Sequence, residues 1–419
     1  MYEKKRCLIF VICFALCFII NYGTNGGDKD CIFAKEKEEN TIQEVSKITL
    51  EKNAYVYTGK LIKPKVNIYL KNGKKLNSKS YTLQYRNNRK IGKARVIVKL
   101  KGNYTGSKIL YFNIVPKQVN VTYVNSTSKG FLMQWKKYNY KITGFQIQYA
   151  ANRKFKSAKK IWINNNKTSL YNCEKLKKNK IYYLRVRSYK MVSGKRYYSP
   201  WSDTKKIKTK KAKIAIDAGH QRRQNSAVEP IGPGAKIYKA KMAGGTKGVA
   251  TGLYEYELNL ILAKKLKETL IKDNYEVFMT RESHDVNISN KERALAVNAS
   301  KSDILIRIHA NGSEAQYVQG ASTICCTKNN PYYAKASYGK SRKLSKRILN
   351  GIIEKTGCKN CGIEETDTMT GINWCEIPST IVEVGYMSNL KEDRLLATKT
   401  YQNKLVKGMA EGIENYFGF

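Results

Sequence analysis

The sequence predicts a multidomain chain in which two all-β sandwich domains precede an α/β domain with a mostly parallel sheet flanked by helices. Three observations carry that reading. Between residues 46 and 210 the apolar residues come in short runs, broken by turn signals such as Lys71-Asn72-Gly73, Arg86-Asn87-Asn88 and Lys101-Gly102-Asn103. Beyond residue 212 the runs become continuous apolar strands separated by long helical patterns, as a parallel sheet buried on both faces requires. The charge divides at the same place. Within a net charge of +46, residues 45–211 carry 42 basic side chains against only Glu51, Glu174 and Asp203, whereas residues 212–419 carry 30 basic and 22 acidic ones. At 419 residues and 42% hydrophobic content, the chain can build several cores and is too apolar for wholesale disorder.

The N-terminus reads as an export signal. Lys4, Lys5 and Arg6 precede an uncharged apolar run from Cys7 to Tyr22, shorter than the ~20 residues of a membrane span. Residues 1–22 are expected to be a signal peptide or, if uncleaved, an N-terminal anchor, the one route to a membrane that the sequence offers. Residues 23–45 read as linker. Export decides what the polycationic middle meets. Outside the cell the expected partners of the basic β domains are anionic wall polymers such as teichoic acids, and no nucleic acid. Seven cysteines lie beyond the export segment, an odd number that cannot all pair within one chain. Cys358-x-x-Cys361 is a lone pair of its kind, so ordinary thiols or one disulfide are expected.

In residues 46–116 the runs VNIYL, YTLQY and ARVIVKL alternate in part with period two, as half-buried strands do. Tyr57-Thr58-Gly59, Pro64, Tyr85 with Asn88, and Gly102-Asn103-Tyr104-Thr105-Gly106 make this segment resemble the bacterial immunoglobulin-like repeats of exported wall proteins. Residues 117–210 contain FLMQW with Trp135, then GFQIQYA, YYLRVRSY and Tyr198-Ser199-Pro200-Trp201-Ser202. Leu176, Tyr182 and Val186 are spaced as in a tyrosine corner, and the segment resembles a fibronectin type III domain with Trp135 in its core. Lys205 to Lys213 (KKIKTKKAK) reads as a basic linker.

In residues 212–419, KIAIDAG, YEVFM, DILIRIHA and STIVEVGY read as buried strands. Leu258, Leu262, Leu266 and Leu270 recur at i+4 on a helix that Glu255 opens. Of the three histidines in the chain, His220 and His309 stand at the ends of two of these strands, where open α/β sheets place their ligands. Glu383 lies within the apolar run of another, a costly position unless the group is paired or functional. Two imidazoles and a carboxylate suit a hydrolytic zinc site that leaves a position open for water, and a second carboxylate would take the proton from that water. His220, Glu255 and His309 as ligands with Glu383 as base satisfy that count; Glu257 competes with Glu255. His284 reads as a solvated loop side chain. Asp217 is expected to hydrogen-bond a ligating imidazole, Arg281 and Arg293 to hold loops through ion pairs, Asn311 to orient backbone near the metal, and residues 362–377, with Trp374, to wall a groove.

Five blocks in order carry a further resemblance: IAIDAGH, TGLYEYELNLILAKKLKETL, YEVFMTRESHDVNISNKERALAVN, SDILIRIHANGS and PSTIVEVGYMSN. Together they resemble the zinc-dependent N-acetylmuramoyl-L-alanine amidases over residues 212–419, with Ala218 where that family usually has proline. The resemblance implies Zn2+ held by His220, Glu255 and His309, and Glu383 as catalytic base. It favours Glu255 over Glu257 by the spacing to Leu260 and Ala263. It also implies peptidoglycan as substrate, cut between N-acetylmuramic acid and the L-alanine of the stem peptide. A zinc peptidase acting within the stem peptide and a non-enzymatic wall-binding or adhesin protein are the rival readings; the second would need a lost ligand or base, and none is missing.

Overall fold

The computed structural model describes residues 44–138, 140–332 and 338–419. The export segment and nearly all of the expected linker lie outside them.

In the first β region, β1 (Val45–Leu50) pairs antiparallel with β3 (Val66–Leu70). β2 (Ala54–Val56), β4 (Tyr81–Arg86), β5 (Gly92–Leu100) and β6 (Ser107–Val115) form a second sheet in the order β2-β6-β5-β4. Alternation in VNIYL sends Val66, Ile68 and Leu70 inward, where they meet Val96 and Val98 of the second sheet. The turn chemistry that marks this region in sequence has a structural role. The Tyr85 hydroxyl donates to the Pro64 carbonyl at 2.6 Å, and the Asn88 amide donates to Ile62 at 2.9 Å.

The second β region holds β7 (Val121–Ser126), β8 (Gly130–Trp135), β9 (Gly144–Ala150), β10 (Lys159–Ile163), β11 (Leu170–Glu174), β12 (Ile181–Val192), β13 (Lys195–Tyr198) and β14 (Lys205–Lys208). A three-stranded sheet, β11-β8-β7, and a five-stranded one, β10-β9-β12-β13 with β14 also on β12, share a core of Phe131, Met133, Trp135, Phe145, Ile147, Leu184 and Val186. The Tyr182 hydroxyl reaches back to accept from the Lys177 amide at 3.2 Å. The expected basic linker over Lys205–Lys213 is a correction. Its first residues are β14, paired with β12, with Ile207 against the core. Thr209 is buried, and Ala212 already belongs to the core of the α/β domain. Alternating lysines masked a strand whose outward positions are cationic. Across the joint, the Ser128 amide donates to Glu276 at 3.0 Å, and Lys178 pairs with Asp303 at 2.7 Å.

The α/β domain is built on one six-stranded sheet. In chain order its strands are β15 (Lys213–Ala218), β18 (Glu276–Met279), β19 (Ile304–Asn311), β20 (Ala321–Cys325), β21 (Asn360–Glu365) and β22 (Ser379–Tyr386); β16 (Asn225–Pro230) and β17 (Tyr238–Met242) form a separate hairpin. The spatial order is β18-β15-β19-β22-β20-β21, parallel except where β20 runs antiparallel to β22. β20, β21 and the hairpin have no counterpart in the sequence reading. Helices α1 (Glu255–Lys272), α3 (Tyr338–Thr356) and α6 (Lys399–Phe417) pack on one face with Ile214, Ile216, Ile304, Ile306 and Ile308. On the other face, α2 (Asn290–Ala299) and the one-turn α4 (Thr370–Asn373) meet Ala215, Leu305 and Ile381. Burial on both faces is why these strands read as unbroken apolar runs. Leu258, Leu262, Leu266 and Leu270 of α1 are all buried, as their spacing requires. Helix α5 (Leu390–Leu396) follows β22, with Asn389 capping two amides of its first turn. Among the described residues, no helix is long and apolar enough to cross a membrane.

Trp135 is 1% exposed at the centre of the second β core. Trp135→Ala should cost that region about 3–5 kcal/mol, seen as an earlier denaturant midpoint for its transition, with hydrogen exchange in the α/β sheet unchanged.

Candidate metal centre

The site forms where β15, β19 and β22 end. β15 runs out at Ala218, and the chain turns through Gly219 into His220, whose φ of 58° is in the left-handed region. A non-glycine residue there is strained, and two buried arginines hold it. Arg281 donates to the carbonyls of Ala218 and Gly219 at 2.8 and 2.9 Å, and Arg293 to those of Ala218 and His220 at 2.8 and 3.0 Å. Gly219 is required by close approach: a Cβ there would lie 2.3 Å from the His309 ring.

Three of the four expected site residues meet, with the two histidines converging on the carboxylate of the third. Glu255 is the first residue of α1, where the helix dipole favours negative charge. Its Oε1 lies 3.2 Å from His220 Nε2 and 3.1 Å from His309 Nδ1, and it accepts from the Ala310 amide at 3.2 Å and Asn259 at 3.1 Å; Oε2 accepts from the Thr246 amide at 2.9 Å. One ligand atom from each of His220, Glu255 and His309 falls within 4.8 Å of the others. The rings stand edge to face at 4.8 Å. Glu383 lies opposite His309 in the β19–β22 register. Glu257, the competing ligand, is taken up elsewhere: its carboxylate accepts from the Tyr254 amide at 3.2 Å, closing the first turn of α1.

The donor set fits a cation. His220 Nδ1 donates to the Ala243 carbonyl at 2.8 Å, which leaves the lone pair on Nε2 facing the cluster. His309 Nδ1 faces Glu255, and its Nε2 is buried with no hydrogen-bond partner. Glu383 Oε2 is likewise buried and unpartnered. An unpartnered buried carboxylate oxygen is costly, and positive charge held by the His-Glu-His cluster beside it would offset that cost. Protonation follows the same logic. Burial opposes charge on Glu255, but hydrogen bonds and charge from the two histidines hold its carboxyl well below the usual range. Burial pulls both histidines down; Glu255 raises His220 on balance, whereas His309, with the charges of His220 and Arg307 also against it, stays lowered. Burial first, then the charges of Glu255 and Glu364, pushes Glu383 up to about 8.

Several expectations are corrected. Asp217 bonds no imidazole. It lies 1% exposed beneath the site, 2.8 Å from Arg293 and 3.1 Å from Arg307, with the Thr280 hydroxyl as a further donor. Two guanidiniums outcompete a neutral ring for a buried carboxylate. The support for His220 is a backbone carbonyl, which carries no sequence signature. Arg281 forms its hydrogen bonds with carbonyls alone. His284 is half-buried, its ring edge-on to Tyr256 at 5.3 Å. Asn311 accepts from the Gly312 amide at 2.9 Å. All six described cysteines are free thiols. Residues 362–377 divide between β21, α4 and a loop, and Thr368–Gly371 line a cleft of about 410 Å³ together with His220, His309 and Glu383. The opposite wall is the β16–β17 hairpin, through Lys239 and Met242; with no apolar period, it left little to read. Trp374 stands behind that wall, its indole donating to Pro230 at 2.9 Å.

A mostly parallel α/β sheet whose strand ends bring together His-Glu-His and Glu383, with its buried and unpartnered oxygen, defines a candidate metal-centre hydrolase domain. Comparison with known proteins gives the family. Residues 214–415 match the family described as N-acetylmuramoyl-L-alanine amidase, and residues 115–205 match the fibronectin type III domain. The α/β domain belongs to that amidase family and the second β region is a fibronectin type III domain. The germination-specific N-acetylmuramoyl-L-alanine amidase of Bacillus subtilis (strain 168) is 29% identical over 203 residues, covering 44% of this chain and 80% of that protein. YqiI of the same strain is 26% identical over 194 residues, covering 46% and 88%. Among solved structures, the catalytic domain of the amidase CwlV from Bacillus (Paenibacillus) polymyxa var. colistinus is 25% identical with a TM-score of 0.40, covering 49% of this chain and 98% of that one.

Two outcomes follow from this geometry. Gly219→Ala should displace the His309 ring and lower zinc affinity at least about tenfold, by the size of a lost ligand's support, as read by calorimetric titration. Asp217, held well below the usual carboxylate range by Arg293 and Arg307 against the effect of burial, contributes stability that is present above its unfolded pKa and lost as pH falls through the folded one. Asp217→Asn should therefore be less stable than the parent by about 3–5 kcal/mol at neutral pH, and the gap should close as both are acidified below about pH 4.

Proposed function

We propose that this protein is an exported peptidoglycan hydrolase that cleaves the amide between the lactyl group of N-acetylmuramic acid and the L-alanine of the stem peptide. One observation carries the reading. In a domain of the amidase family, His220, Glu255 and His309 gather within 4.8 Å at the strand ends, beside Glu383 with its unpartnered buried oxygen. His220, Glu255 and His309 would hold Zn2+. Bound there, zinc would polarise the scissile carbonyl and make attacking water acidic enough at neutral pH.

The remaining work falls to the chain. Glu383 takes the proton of the attacking water on its carboxylate and returns it to the departing L-alanine amine. In the metal-free cluster its affinity for that proton is raised by burial and by Glu255; positive charge in the cluster offsets the Glu255 contribution and readies the group to accept. Arg281 and Arg293 hold the His220 turn, so the ligand set is organised before substrate arrives. The cleft between the β16–β17 hairpin and Thr368–Gly371 runs past His309 and Glu383, which supports an extended substrate crossing the strand ends.

The domains would divide the task. Residues 212–419 cut; residues 46–116, an immunoglobulin-like sandwich, and 117–210, the fibronectin type III sandwich, hold the enzyme on the anionic wall through 42 basic side chains against three acidic between residues 45 and 211. Residues 1–22 would direct export or remain as an anchor, and the site of action would be the cell wall.

Digestion of purified peptidoglycan with mass spectrometry of the products tests this reading. Stem peptides beginning with L-alanine are expected, with the rate lost on chelation and restored by zinc. Glu383→Ala should lower it by about 10²–10⁴-fold while zinc binding persists. Cuts within the peptide would move the assignment to a peptidase, and metal binding with no cleavage would favour a wall-binding protein.

A further inference from the structure

The outer face of the five-stranded fibronectin sheet carries an interleaved ladder of cations and rings. On β12, Leu184 and Val186 enter the core, so Arg185 and Arg187 point outward. The Arg185 guanidinium lies 3.9 Å from the Phe155 ring centre and 4.4 Å from that of Trp201. Arg187 follows, 4.2 Å from Trp201 and 3.8 Å from Tyr198. Arg196 of β13 continues the stack, 4.5 Å from Trp162 and 5.7 Å from Tyr189.

Local hydrogen bonds build this arrangement. The segment after β13 is sewn to β12 by serines placed three apart. Ser199 Oγ accepts from the Ser188 amide and Ser202 Oγ from the Val186 amide, each at 3.0 Å, while their own amides donate back to Ser188 and Val186 at 2.9 and 2.8 Å. Trp201, between them, is thereby laid over both arginines. From β9, Gln148 accepts from Nε and Nη2 of Arg185 at 3.0 and 2.7 Å, and Gln146 accepts from Nε of Arg187 at 2.8 Å. Glutamine fixes each guanidinium without neutralising it.

The strands of this face are free of acid, and the exposed Asp203 follows Trp201 in the connecting segment. No strand of this sheet contains Asp or Glu, and among the described residues the domain's ion pair, Lys178 with Asp303, belongs to the interdomain joint. Lys160 and Lys206 flank the ladder, opposite Gln148 and Tyr183 in register. Fixed guanidiniums bind phosphate with little further loss of freedom. Arg185 and Arg187, two residues apart on one strand, repeat at about 6.6 Å, a spacing suited to successive charges on one extended chain. The ring faces are already covered by guanidinium, so they offer no platform on which bases could stack.

We propose that this face binds a linear, base-free phosphodiester polyanion of the cell wall, a polyol-phosphate chain, with Arg185, Arg187 and Arg196 each taking a phosphate. This deepens the proposed wall attachment of the β domains and is independent of the amidase chemistry.

The test titrates the full chain with soluble poly(glycerol phosphate) over a range of salt. Replacing Arg185, Arg187 and Arg196 by Gln should weaken binding at least tenfold and flatten the log–log salt slope by about 2. Replacing Lys99, Lys101 and Lys108 by Gln on the first β region, an equal loss of charge, should change affinity less than twofold. Equal losses in both variants would overturn the proposal in favour of diffuse charge, as would equal affinity for a single-stranded oligonucleotide of matched charge. The unaltered protein provides a reading that needs no variant: the polymer should shift the Nε–Hε resonances of these three arginines, and unmoved resonances at saturation would show a ladder that only braces the sheet. Retention on whole walls separates the two levels. If removing wall phosphodiesters releases the protein and the arginine variant still binds, the ladder fails alone; if removal releases nothing, wall attachment through these polymers fails with it.

Discussion

A buried carboxylate shared by two arginines underlies the catalytic half of this protein. Asp217 sits one strand position before the turn that presents His220, and it pairs with Arg293 from α2 and Arg307 from β19. That single charge ties β15 to its parallel neighbour and to the helix beneath. Arg293 then spends its other donors on the Ala218 and His220 carbonyls. The strained backbone at His220 is held because it hangs from a network of buried charged side chains. Without Asp217, two guanidiniums would be stranded in a dry layer, and the turn above them would lose its floor.

The cluster above this layer carries excess negative charge. Glu255 is fully engaged by two histidines and three donors from elsewhere in the chain, whereas Glu383 finds none for its inner oxygen. Two carboxylates in one low-dielectric pocket are driven to opposite proton affinities. The one at the helix N-terminus is held toward its ionised form and the one in the strand toward its protonated form, so one pocket gives identical side chains opposite tendencies.

Much of this was legible in the sequence because the physics involved is periodic or local. Strands buried on both faces must be apolar throughout, and a helix against a sheet must repeat leucine at one-turn spacing, so β15, β19, β22 and α1 stood out. The histidines and glutamates were conspicuous as polar groups where apolar ones belong. What escaped notice depends on long-range geometry. Nothing local distinguishes Ala243, whose carbonyl orients His220, from other alanines. Asp217 stood in the right block, but its partner was misjudged because Arg307 is polar inside an apolar strand and its depth emerges only from the packing. β14 was hidden by its lysines, since an edge strand with one wet face satisfies its hydrogen bonds whatever it displays outward. β20 and β21 were missed because their pairing with β22 is set by the fold.

The joint between the fibronectin and amidase domains spans only Thr209 to Ala212, and its flanks are fastened by Glu276 to Ser128 and Asp303 to Lys178. A tether would let the cleft wander over any bond within its radius. A short joint braced on both flanks would act as a caliper: were one jaw seated on a wall polymer as proposed, the other would be held close to it. Bonds that come into register would be cut and their neighbours passed over, so the architecture of the wall, as much as the chemistry of the cleft, would select which cross-sections of peptidoglycan this protein opens.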